Sequence, residues 1–112
     1  GPAGPVYGTI AWIPGSRTAF GSVADAATQA DADFAAMTKC TALANGAPGC
    51  KPVVRMFGSD KKCGAIATDA AKFSTARGPD MSSTIQSVLA TLAKEGGTIA
   101  GNSIISSLCN TR

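Results

Sequence analysis

A chain of 112 residues, 45% apolar and 5% aromatic, fits one small domain, and its net charge of +3 falls short of the dense basic stripe of a strong nucleic-acid binder. There is no histidine, which excludes a Ser–His–Asp triad, a histidine general base and a histidine metal site. No run of about eighteen apolar residues occurs, so no segment reads as a membrane-spanning helix.

Gly1-Pro2 reads as the scar of a cleaved tag, and residues 1–6 as that scar with a disordered lead-in. The start without Met is expected to follow a removed signal peptide. The domain proper is expected over 7–112. Tyr7 to Ile13 mixes aromatic and β-branched residues, which predicts a strand. Pro14-Gly15-Ser16 is turn chemistry, so residues 17–21 are expected to return as a second strand. The alanine-rich stretch from Val23 to Ala44 predicts a helix, with Ser22 as its cap and Asp25 favouring its positive end. Ala26, Ala30, Phe34, Met37 and Cys40 recur at helical spacing and form the expected inward face. After the breaker-rich loop Asn45-Gly46-Ala47-Pro48-Gly49, Val53 to Phe57 reads as a strand.

The second half echoes the first. Gly8-Thr9-Ile10-Ala11 returns as Gly64-Ala65-Ile66-Ala67, and Ala19-Phe20-Gly21 is matched with Ala76-Arg77-Gly78. Cys63 to Thr68 and Lys72 to Arg77 predict a second hairpin. Ser83-Thr84-Ile85-Gln86 has the form of a capping box, followed at helical spacing by Ile85, Val88, Leu89 and Leu92, and Glu95-Gly96-Gly97 ends that helix. Ile104 to Leu108 is the closing strand. The expected fold is α+β: two hairpin–helix–strand halves, about 7–57 and 63–110, forming an antiparallel or mixed sheet with both helices packed on it.

The cysteines, Cys40, Cys50, Cys63 and Cys109, lack the close pairs of a structural zinc site, so two disulfides are expected. Three pairings are open. Placement favours Cys40–Cys50, stapling helix to strand, and Cys63–Cys109, tying the ends of the second half. On the loop-entropy account the short bridge contributes about 3 kcal/mol and the long one about 4. Disulfides place the chain outside the cytosol, secreted or in the cell envelope.

No catalytic, metal or cofactor set emerges. A catalytic cysteine lacks a histidine base. Gly58-Ser59-Asp60-Lys61-Lys62 lacks the glycine spacing of a phosphate loop, and Asp31 and Asp33 diverge on the predicted helix. Candidates for partner contact are Trp12, beside a turn, and Arg55, Lys61 and Lys62 of the basic central region. Such a face also allows weak contact with a membrane surface.

Several segments together resemble a known family. Tyr7-Gly8-Thr9-Ile10-Ala11, Cys50-Lys51-Pro52-Val53-Val54, Cys63-Gly64-Ala65-Ile66-Ala67 and the closing Cys109-Asn110 are similar to the strands of domain of unknown function 4189. The Cys40–Cys50 loop is longer than in that pattern. Gly96-Gly97 and Gly101-Asn102 replace a second cysteine-lysine strand start, which leaves the register of the last strand open. The resemblance implies an exported protein of mycobacteria, nocardiae or other bacteria, with two disulfides and, in pathogens, a role at the host interface. It supplies no catalytic residues. The leading expectation is a non-enzymatic exported protein that binds a protein partner, such as a secreted effector. The alternative is an inhibitor of a secreted hydrolase presenting Asn45–Gly49. An enzyme using carboxylate or lysine chemistry alone is the third reading.

Overall fold

The computed structural model describes residues 4–112; the Gly1-Pro2 scar lies outside the described residues. Tyr7–Trp12 (β1) and Phe20–Ala26 (β2) form an antiparallel hairpin, Gln29–Leu43 is α1, and Lys51–Phe57 (β3) returns to the other side of β1. The second half repeats this plan with Cys63–Thr68 (β4), Phe73–Gly78 (β5), Met81–Lys94 (α2) and Ile104–Cys109 (β6). The strands divide into two antiparallel three-stranded sheets, β2-β1-β3 and β5-β4-β6, where one shared sheet was expected.

The alternation of side chains along the central strands explains the layering. Ala11 of β1 packs with Ala36 and Cys40 of α1, and Ala65 and Ala67 of β4 pack with Val88 and Leu92 of α2. The opposite faces carry Ile10, Trp12 and Ile66, which meet Val54 and Met56 between the sheets. The order through the molecule is therefore helix, sheet, sheet, helix. Gly64 permits the central contact: a Cβ there would lie 2.6 Å from Val54 Cγ1.

The repeat is a pseudo-two-fold. Exchanging the halves turns β2 against β6 into β5 against β3, and both neighbourhoods are present. The ladders agree in detail. Ile10 pairs with Val54 and Ile66 with Ser106, and each ladder then shifts register at the next residue of the central strand. Pairing also corrects the sequence match: Phe20 lies opposite Trp12 and Phe73 opposite Thr68, so Phe73 is the counterpart of Phe20 and Ser74 that of Gly21.

Three local expectations change. The second strand runs to Ala26, not to residue 21, because the Ser16 hydroxyl accepts from the amides of Thr18 and Ala19 and delays the return. Pairing with β1 then overrides the helix propensity of Val23–Ala26. α1 consequently starts at Gln29, capped by Thr28 instead of Ser22. Its inward stripe is Ala32, Ala36 and Cys40, and Phe34 is 74% exposed. Small side chains are what fit: a Cβ on Gly21 would lie 2.1 Å from the Ala36 carbonyl oxygen, so helix and strand touch backbone to backbone. α2 begins earlier than the capping box, with the Asp80 carboxylate accepting from the Ser83 amide at 2.8 Å. Val88 and Leu92 are buried as expected, Ile85 and Leu89 lie at the edge of that cluster, and the helix ends at Glu95 with Gly96 left-handed at φ 89°.

Both preferred disulfides are present, Cys40–Cys50 and Cys63–Cys109. The first ties α1 to the start of β3. The second joins directly paired residues of β4 and β6.

Candidate functional site

The sheets do not close into a barrel, so each flank of the sandwich leaves a trough between two edge strands. On one flank β3 faces β5 across a cleft of about 640 Å³, lined by both strands and by Asp60 and Lys61 of the following turn. Alternation on β3 sends Arg55 and Phe57 outward, and alternation on β5 does the same for Thr75 and Arg77. Gly58, at φ 72°, lets the chain fold back so that the Phe57 amide donates to the Lys61 carbonyl at 3.0 Å. That turn sets Lys61 Nζ 5.1 Å from the centre of the Phe57 ring. Arg77 reaches the same ring from β5, its Cζ 5.7 Å from the centre, and its Nη1 donates to the Arg55 carbonyl at 3.4 Å. The ring face is electron-rich, so it favours this gathering of cations.

Arg55 is differently engaged. Its Nη2 donates to Asp33 Oδ2 at 2.9 Å and its Nε to both carboxylate oxygens, a forked ion pair reaching from β3 to α1. Behind it, the Thr9 hydroxyl donates to Asp33 Oδ1 at 2.6 Å. Gln29 Nε2 donates to the Thr9 hydroxyl at 2.7 Å and to the Gly8 carbonyl at 3.1 Å. Burial pushes the Asp33 carboxyl up, but hydrogen bonds from Arg55, Thr9 and Gln29 outweigh it and hold the group below its ordinary value. The same contact raises Arg55. Arg55 thus carries a neutralised charge, whereas Lys61 and Arg77 have no carboxylate partner among the described residues.

The candidates from sequence divide accordingly. Arg55 and Lys61 meet at the cleft. Lys62 does not line it: its carbonyl accepts from the Asn110 amide, and its charge acts on Asp25. Trp12 is corrected as a surface anchor. It is 0% exposed, its Nε1 donates to the Ser16 carbonyl at 2.7 Å, and its ring stands edge-on to Phe73. A core short of large side chains draws in its one tryptophan. Arg77 completes the cleft lining and Phe57 stands beside it, held between Lys61 and Arg77; neither was among the expected site residues, and the i, i+2 spacing of Arg55 with Phe57 and of Thr75 with Arg77 was the available signal. Among the described residues no group of side chains has the make-up of a metal site, and no helix is long and apolar enough to cross a membrane.

Residues 7–109 match the family model for domain of unknown function DUF4189. The chain belongs to the DUF4189 family. No curated protein and no solved structure matches it significantly. The matched span runs from the first residue of β1 to the last of β6, so it contains both halves and both disulfides.

Proposed function

We propose that this DUF4189 domain is an extracytoplasmic binding module whose β3–β5 cleft receives an acidic segment of a protein partner. The observation that carries this reading is the convergence of Lys61 and Arg77 on the exposed Phe57 ring, beside a trough open to solvent. A carboxylate entering there meets two cations that no carboxylate holds in an ion pair among the described residues, although Asp60 also lines the cleft, and the aromatic edge offers apolar contact to the neighbouring side chain. Two cations suit a short acidic stretch and are too few to track a nucleic-acid backbone. The two disulfides favour action outside the cytosol.

The test uses a fluorescein-labelled hexaglutamate peptide, followed by anisotropy at low salt. The expected result is salt-sensitive binding that falls about tenfold or more in the Lys61→Glu/Arg77→Glu double variant. Equal binding by a double variant that keeps both disulfides and its circular dichroism spectrum would overturn the reading.

A further inference from the structure

The pseudo-two-fold relates two flanks that differ in how far they are closed. On one, β2 faces β6, and the Ser22 and Ser106 hydroxyls meet across the gap. Ser22 and Ser106 pair with Ile10 and Ile66 of the central strands, so their equivalents on the basic flank are Thr75, opposite Ile66, and Val54, opposite Ile10. Valine has no hydroxyl. The bridge is therefore missing on that flank, and Thr75 lines the open cleft instead.

The two edge strands of the cleft are not equally free. Pro52 of β3 has no N–H, the Phe57 amide is bonded to the Lys61 carbonyl, and Arg77 Nη1 donates to the Arg55 carbonyl. On β5 the phase of the ladder leaves an open edge. The Thr68 amide donates to the Ser103 carbonyl on the β6 side of β4, and the Asp69 amide donates to the Lys72 carbonyl on the β5 side. Backbone groups alternate sides along an antiparallel pair, so Ser74, Ala76 and Gly78 bond to β4. The N–H and C=O groups of Phe73, Thr75 and Arg77 then face outward. Among the described residues, the Thr75 and Arg77 backbones make no hydrogen bond beyond the β4 ladder. The side chains of the same two residues line the cleft, so open edge and cationic lining coincide.

We propose that the partner's acidic segment binds as an extended strand added antiparallel to β5, with acidic residues at alternate positions. This deepens the cleft reading above and rests on it. In that register the residue opposite Arg77 exchanges both backbone bonds with it and points its side chain to the same face. A carboxylate there reaches Arg77 and Lys61, and one two residues along reaches the Thr75 hydroxyl. Charge selects the occupant. A basic strand would be repelled, and a neutral one would cover two cations without compensating them. Asp60, on the turn after β3, sets a like charge on the β3 side of the cleft and so also favours β5 as the acceptor edge.

The test uses fluorescein-labelled Thr-Glu-Thr-Glu-Thr-Glu-Thr and two versions of it, one N-methylated at every Glu and one at every internal Thr. Anisotropy at low salt is expected to show binding about tenfold or more weaker for the Glu-methylated peptide, and little change for the Thr-methylated one, whose amides face away from β5. Amide hydrogen exchange at Thr75 and Arg77 is expected to slow as the unmodified peptide saturates the protein. Binding without that protection, equal binding by both methylated peptides, or selective loss on Thr methylation would overturn strand addition and leave the acidic cleft standing. Failure of both this peptide and hexaglutamate to bind would remove the cleft reading, and this inference with it. The comparison is made on the unaltered protein, so no variant has to fold.

Discussion

The two halves share a backbone plan and even the same register shift beside their central strands, yet they are stabilised differently. At equivalent strand positions the first half has Gly21, which lets the Ala36 backbone into contact, and the second has Ser74, whose hydroxyl donates to the Val88 carbonyl at 2.7 Å. On the central strands, Thr9 anchors a polar network of Gln29, Asp33 and Arg55, whereas its counterpart Ala65 packs against Val88 and Leu92. The first disulfide joins helix to strand and the second joins strand to strand. One frame therefore accepts two chemistries at the helix–sheet layer, provided that each layer's volume and hydrogen bonds are internally consistent. The polar version places Arg55 at the rim of the basic cleft, so the first half is also the one that shapes the candidate site.

The largest test of this contrast removes the bridges one at a time. Replacing Cys63 and Cys109 by serine is expected to cost about 4 kcal/mol and replacing Cys40 and Cys50 about 3, because the loops span 46 and 10 residues. Urea denaturation of the two double variants measures the difference. A reversed order would mean that the helix staple limits the native state more than the unfolded chain.

Exchanging the strand chemistry probes the layers directly. Gly21→Ser is expected to cost about 3 kcal/mol by forcing α1 off its strand, while Ser74→Gly loses one buried hydrogen bond and costs about 1–2. Similar costs at both sites, read as shifts in the urea midpoint, would erase the proposed distinction between the halves.

The smallest effect is acid sensitivity. Asp33 titrates below its ordinary 3.8 in the folded protein, so the stability it contributes is present above the unfolded value and is lost as pH falls through the folded one. Asp33→Asn is expected to cost about 1–2 kcal/mol at pH 7 and to flatten the decline in stability below about pH 4. Denaturation midpoints across that range would show an unchanged acid slope if Asp33 were uncoupled from folding.

Much of this contrast is written in residue types that a linear reading weighs poorly. The alanines of Val23–Ala26 favour a helix locally, but pairing of β2 with β1 decides that they are strand. Phe34 has the bulk of a core residue, but a helix lying on Gly21 can bury only small side chains, so alanines take the inward face. Arg55 and Lys61 stand out as charges, yet only the turn at Gly58 and the neighbouring sheet edge reveal that Phe57 and Arg77 belong with them. Trp12 illustrates the reverse case, where position beside a turn misled and the scarcity of large apolar side chains was the better guide.

By itself the sequence determined the two-fold repeat, the order of strands and helices in each half and the preferred pairing of its cysteines. Those properties follow from local periodicity, turn chemistry and spacing, which act over a few residues. Only the tertiary structure decided that the strands split into two stacked sheets, that one flank is a basic cleft and that the other is bridged by Ser22 and Ser106. These depend on which faces of Ile10, Trp12, Val54, Met56 and Ile66 meet across the middle, and that contact joins segments far apart in the chain.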